Sequence, residues 1–173
     1  MKNENKIILG EKVYLRKMTE DDAPYIVEWR NDPDIKKWMF NQEEITIESH
    51  LNWFREQASN RIDYIICDKK TDKPIGTVSF SNIEDKKAEA GKMIGNKEYR
   101  GKGYAKEAYI LWLNYGFSEL GFEEIYGRTM ANNIPNIKLN EKIGFRKKGY
   151  SSISVENNIY EILTTVIRKE DLK

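Results

Sequence analysis

Between Met93 and Ala105 the chain reads Met-Ile-Gly-Asn-Lys-Glu-Tyr-Arg-Gly-Lys-Gly-Tyr-Ala: an apolar strand end, a polar loop and the opening of a long apolar segment. Glycines at 101 and 103 remove the Cβ that would restrict the backbone. Consecutive amides can then turn toward an anion at the positive end of the helix that follows. Arg100 and Lys102 bring positive charge to the same place. The spacing is not a Walker loop, because no Gly-Lys-Ser/Thr follows, nor the G-x-G-x-x-G dinucleotide fingerprint, because position 106 is Lys. Nucleoside-triphosphate and nicotinamide chemistry are therefore disfavoured. What is left is a different phosphate cradle or a tight turn whose basic residues face water.

Glu89, at the head of the strand that feeds this loop, is a carboxylate that either has a functional role or is a solvated charge among Glu84, Asp85, Lys86 and Lys87. Asn133 and Asn136 flank Pro135 at the start of a later helix, where Asn136 either caps the helix or contacts a ligand. Arg30, the run Trp38-Met39-Phe40 and His50 form a third group, able to grip a phosphate, cover a ring and donate to a hydroxyl. Their alternatives are packing and an Arg30 pairing with Asp32 or Asp34. The single Cys67 has no disulfide partner, and with one histidine, His50, a four-ligand Cys/His zinc site cannot be built, so no metal is expected.

The elements that must position these residues follow from periodicity. Residues 6–17 alternate as a first strand, Thr19 caps a helix that Asn31, Asp32 and Pro33 stop, and Thr46 caps a second helix carrying Ile47, Leu51, Phe54 and Ala58. Three strands follow at 62–67, 74–83 and 88–94, then a buried, nearly all-apolar helix over 104–119, a strand over 122–130, a short helix from Pro135 to Lys142, and strands at 145–150 and 160–168. At 173 residues this is one mixed α/β domain spanning 1–173. With 29 Lys+Arg against 28 Asp+Glu there is no net field for nucleic acid or anionic membrane. The apolar run in residues 1–10 is too short for a signal peptide, and no stretch reaches the roughly twenty apolar residues of a membrane span, so a cytoplasmic location is expected.

Arg100, Gly103 and Ala105 match the Arg/Gln-x-x-Gly-x-Gly/Ala signature of the Gcn5-related N-acetyltransferase (GNAT) superfamily, and the whole chain resembles it in element order. Ala88-Glu89-Ala90-Gly91, Asn133-Ile134-Pro135-Asn136 and Glu141-Lys142-Ile143-Gly144-Phe145 look like the branch that holds ribosomal-protein N-terminal acetyltransferases. The resemblance implies the GNAT fold, β-α-α-β-β-β-α-β-α-β-β, with acetyl-CoA held where two parallel strands, 88–94 and 122–130, splay apart. It further implies that backbone groups of Met93 and Ile94 hold the pantetheine arm, and that amides of Arg100, Gly101, Lys102, Gly103, Tyr104 and Ala105 bind the pyrophosphate. Asn133 would reach the arm, Ile94 would stabilise the oxyanion, Glu89 would be the base, and Asn136 would bind a water or the sulfur.

Many relatives place a tyrosine, as general acid, where this chain has Asn140. The run from Trp29 to Ile35, Trp38-Met39-Phe40 and His50 to Phe54 resembles acetyltransferases of nucleotide-linked 4-amino-sugars in pseudaminic-acid-type pathways, with Arg30, Met39 and His50 as acceptor contacts. The resemblance also leaves protein N-terminal, polyamine and drug acetyltransferases open, along with a non-catalytic CoA-binding protein. A small-molecule amine is the expected partner. The last strand, with Ile162, Leu163, Val166 and Ile167, either pairs with a second subunit in a homodimer or finishes the sheet.

Overall fold

The computed structural model describes residues 6–57 and 59–173; residues 1–5, part of the stretch 1–10 read above, and Ala58, placed on the second helix, lie outside the described residues. Val13 and Leu15 alternate inward on β2 (Val13–Lys17), as their spacing requires. The segment before it is not a continuation of that strand. Gly10 donates to Val13 O at 2.8 Å, folding β1 (Ile8–Leu9) back onto β2 as a hairpin.

The first helix starts later than its Thr19 cap suggests. Asp22 accepts from the Thr19 amide at 2.8 Å and from both arms of Arg16 at 2.8 and 3.0 Å, closing residues 20–22 into a tight turn. Only then does α1 (Ala23–Asn31) begin. Pro33, read as a stop, opens a further turn, α2 (Pro33–Lys36): Asp32 caps it by accepting from the Asp34 amide at 2.9 Å, and proline lacks only an N–H that a helix start leaves unused. α3 (Ile47–Glu56) is capped as expected by Thr46, which exchanges bonds with Ser49.

A meander follows in β3 (Ile62–Asp68), β4 (Pro74–Glu84) and β5 (Lys87–Ile94), then α4 (Tyr104–Ser118), β6 (Glu124–Met130), α5 (Ile134–Ile143), β7 (Arg146–Val155) and β8 (Asn158–Arg168). The last two strands outrun their predicted spans because Glu156 and Asn157 take φ of 48° and 67°, the left-handed pair of a two-residue hairpin turn. One eight-stranded sheet results, in the order β1-β2-β3-β4-β5-β6-β8-β7. β8 lies inside it with Ile162, Leu163 and Ile167 buried and both its edges taken by β6 and β7, so the last strand is not the one open to another strand, and β7 forms the edge on that side. Among the described residues no helix is long and apolar enough to cross a membrane.

Both sheet faces are covered. α4 sits on one, where Trp112 is fully buried and stacks on Phe80 at 4.4 Å between ring centres. On the other, Ile26, Trp29 and Ile35 from α1 and α2 pack on Ile65 and Cys67. This two-sided cover explains the nearly unbroken burial of β3. Gly95, just past β5, lets α1 approach this closely, because a Cβ there would lie 2.1 Å from the Trp29 ring.

One pairing in the sheet is parallel and brief. β5 meets β6 only through Lys87, Ala88 and Glu89, and beyond them the two strands separate.

Candidate active site

The gap between β5 and β6 is a cleft of about 640 Å³. β5 lines it from Ala90 to Ile94, β6 from Gly127 to Thr129, α4 with Ala105 and Tyr109, and α5 with Asn136, Leu139 and Asn140, with Asn133 just before it. Trp38, Met39 and Phe40 close its other mouth.

The register of β5 decides which backbone groups face this gap. Gly95 donates to Ile75 O at 2.9 Å, so the Gly76/Ile94 pair is of the non-hydrogen-bonded kind. Even-numbered residues of β5 therefore turn their amides and carbonyls away from β4. Lys86 O accepting from the Glu123 amide at 2.8 Å fits the same alternation. Ile94 and Lys92 thus present backbone groups to the cleft. Met93 spends its own on Thr77 and reaches the cleft by its side chain, so the expected Met93 contact with an extended ligand passes from backbone to side chain.

At the loop, Gly101 and Gly103 take φ of 71° and 86°. A Cβ at Gly101 would meet nothing within 4 Å, so conformation and not space selects glycine there. The first α4 bond runs from Glu107 N to Gly103 O, and among the described residues no backbone acceptor takes the amides of 101–106. Those amides remain free at the positive helix end, whereas the Arg100 amide, expected among them, donates to Lys97 O at 3.2 Å and closes the preceding turn. Glu107 anchors this turn by accepting from the Lys12 and Val13 amides at 2.8 and 2.9 Å, and Lys12 Nζ donates to Lys102 O at 3.1 Å. Lys102 itself is exposed, and Tyr104 packs edge-on against Tyr99. Arg100 is less free than a solvent-facing base: it donates to Ile94 O at 3.1 Å and Gly95 O at 3.3 Å, tying the loop to the strand end while lining the cleft.

Alternation also splits the side chains of β5. Ala88, Ala90 and Lys92 face α4 and α5, while Glu89 and Met93 face the α1–α2 side. Glu89 is held by Arg128 through two bonds of 3.0 Å and by Asn82 at 2.9 Å. Both carboxylate oxygens are engaged, and it is Arg128 that lines the cleft, its guanidinium 5.5 Å from the Phe40 ring centre. Glu89, the candidate base, thus sits as a clamp on Arg128.

Lys92, Tyr109 and Arg128 are not identified as site residues from sequence, and Asn140 stands out there only as a missing tyrosine. Lys92 Nζ donates to Asn136 Oδ1 at 2.7 Å and to Asn140 Oδ1 at 2.6 Å, and lies 4.2 Å from the Tyr109 ring centre. Asn136 Nδ2 donates onward to Thr129 at 3.0 Å, which fixes its oxygen toward the lysine. Removal from water pushes the Lys92 ammonium down to about 7, and burial pushes the Tyr109 hydroxyl up. The available signal is the face Ala88, Ala90, Lys92, an apolar stripe that continues into a charge.

Two expected acceptor contacts lie elsewhere. His50 is buried on α3 against Trp53 and Phe54, where burial lowers its pKa, and Arg30 is half-buried on α1; neither lines the cleft. Helical spacing places them in the packing between α1 and α3. Met39 does line the cleft, and so does Asn133, whose side chain makes no cap bond to α5.

Strand-like backbone at Lys92 and Ile94, leading to free amides at a helix start, fits a ligand with an extended amide-bearing arm and a diphosphate, the anatomy of coenzyme A. The acetyltransferase (GNAT) domain model matches residues 12–146. The chain belongs to the GNAT family. That family uses acetyl-CoA, and the matched segment holds the loop, both splayed strands and α5. The GNAT chain is 33% identical over 148 residues to N-acetyltransferase p20 of Bacillus licheniformis, covering 80% of this chain and 82% of that protein. It is 31% identical over 148 residues to protein MJ1062 of Methanocaldococcus jannaschii, covering 84% of this chain but only 30% of that longer protein. The spermidine N-acetyltransferase of Vibrio cholerae, solved with CoA and spermine, has the same fold, with a TM-score of 0.86 at 20% identity, covering 94% of this chain and 98% of that one.

Proposed function

We propose that this GNAT domain moves the acetyl group of acetyl-CoA directly to a primary amine, the 4-amino group of a nucleotide-linked amino-sugar. The observation that carries the acceptor class is the lining of the mouth opposite the CoA loop. Trp38 and Phe40 offer flat apolar faces, Lys37 offers positive charge, Arg128 offers the guanidinium N–H groups that its pairing with Glu89 leaves over, and the one carboxylate there among the described residues, Asp34, is paired with Lys97 at 3.2 Å. A wall of this kind suits an aromatic base and a diphosphate. The bound spermine of the Vibrio cholerae enzyme raises a polyamine acceptor as the second reading, and a polycation would meet Lys37 here with no unpaired carboxylate among the described lining residues to receive it.

Acetyl-CoA enters as the second substrate and supplies an activated thioester. The chain's own residues do the rest. The amides of 101–106 and the side chain of Arg100 receive the diphosphate, Ile94 and Lys92 pair with the arm as an added strand, and Asn133 reaches it from the start of α5. The Ile94 amide points where the thioester oxygen gains charge. Glu89 keeps Arg128 extended toward the acceptor. Thiol release from acetyl-CoA, measured with UDP-amino-sugars, peptides, polyamines and aminoglycosides, tests the reading. The amino-sugars are expected to be turned over with the highest kcat/KM. Preference for spermidine or for a peptide amine would replace the acceptor, and silence across the panel despite CoA binding would point to a non-catalytic binder.

A further inference from the structure

We infer that Lys92 is the proton relay of the transfer, taking the proton from the attacking nitrogen and delivering it to the departing sulfur. This rests on the acetyl-transfer reading above and adds a residue to it.

Arg100 and Arg128 do not release protons near neutral pH. The Tyr109 hydroxyl is pushed further from neutrality by burial, and Asp34 is committed to Lys97. Glu89 faces the opposite side of β5 and is spent on Arg128. Lys37 stands at the far mouth beside Trp38. Among the described residues of the cleft, Lys92 alone is both central and titratable in the useful range. No opposite charge meets it from any packed element described: α4 offers the Tyr109 ring, α5 the Asn136 and Asn140 amides, and β6 the Thr129 hydroxyl behind Asn136.

The two amide oxygens give the nitrogen a defined geometry. A neutral amine has two N–H bonds and a lone pair, and an ammonium has three N–H bonds. Asn136 and Asn140 accept two N–H bonds in either state, so gain and loss of a proton are confined to the third direction. Among the described residues Nζ has no hydrogen-bond acceptor beyond these two amides, and the Tyr109 ring face lies 4.2 Å away.

The amine lone pair forms the N–C bond to the thioester carbon as the carbonyl π pair moves to oxygen, from which it later returns to expel sulfur, and the nitrogen, now positively charged, is more acidic than a free ammonium. Neutral Lys92 takes its proton. The C–S bond then breaks, the electron pair goes to sulfur, and the Lys92 ammonium returns that proton to it. With Lys92 at about 7 and a thiol at about 8.5, the second transfer runs downhill. Nitrogen and sulfur are bound to the same carbon, so one fixed group can serve both.

The test joins a spectroscopic titration of the free protein to kinetics. With lysine labelled at Cε with carbon-13, and Lys92→Arg to assign the signal, Lys92 is expected to titrate near pH 7. Wild-type kcat should rise with pH along the same curve and level above it. Lys92→Met and Lys92→Arg should lower kcat by about a hundredfold to a thousandfold and abolish that limb, with CoA affinity by calorimetry kept within about threefold. Asn140→Asp puts a carboxylate on the ammonium, and should move the spectroscopic and kinetic midpoints upward together by about one unit or more. A Lys92 midpoint near that of ordinary lysine, a kinetic limb that survives Lys92→Met, or midpoints that part company in Asn140→Asp would each overturn the relay while leaving acetyl transfer standing. Failure of the wild type to bind CoA at all would overturn both.

Discussion

Lys92 has a consequence for stability as well as for chemistry. Its folded pKa lies below that of the unfolded chain, so between about pH 7 and 10.4 the unfolded state binds more protons, and stability rises with pH across that window. Below about pH 7 the ammonium is kept in a site that hydrates it poorly, and the penalty is at its full value. Lys92→Met should therefore raise the melting temperature at pH 7 and flatten its dependence between pH 7 and 9, read by thermal melts at several pH values. Glu89→Gln loses a charge-assisted clamp on Arg128, and the KM for the acceptor should rise about tenfold with the pH profile unchanged. A kcat limb lost in that variant would restore the carboxylate as base. Single residues were the least legible scale. Glu89 could be found at its place but not its partner, since Arg128 stands 39 positions away on a strand whose register only the fold supplies. His50 and Arg30 had the right types for ligand contacts, yet they sit on helix faces that pack inward, away from the cleft.

The elements carried more of the site on their surface. Two glycines before an apolar run announced a helix start with free amides, and the backbone there has the left-handed φ that the residues imply. Gly103→Ala should cost about 1–2 kcal/mol in folding, since an L side chain must occupy that region, and should weaken CoA binding more than it slows turnover of bound substrate. Urea unfolding and calorimetry separate the two effects. What periodicity could not supply was strand register. Whether Met93 or Ile94 offers its backbone to a ligand depends on a single hydrogen bond at Gly95, and a slip of one residue would exchange them. The α2 turn was hidden for a related reason: Asp32-Pro33 is equally good as a stop and as a start, and tertiary contact of Ile35 with the α1 cluster selects the second.

At the scale of the molecule, the sequence of strands and helices was largely readable because each carries its own period, while the terminal hairpin was not. Glu156-Asn157 lacks the glycine that usually marks such a turn. Glu156→Asn should stabilise the fold by about 0.5 kcal/mol, since asparagine tolerates positive φ better, as a shift in urea midpoint without a change in slope. The brief parallel pairing of β5 with β6 has a wider implication. Three residue pairs form the strand-to-strand seam between a leaf of five strands and a leaf of three, and α4 is the strap laid across it. A molecule that fills the gap and bonds to both sides becomes a rivet in a weak joint. Amide hydrogen exchange in β5 and β6 should slow on CoA addition more than in β3 or β4, so that occupancy sets how firmly the two leaves are joined.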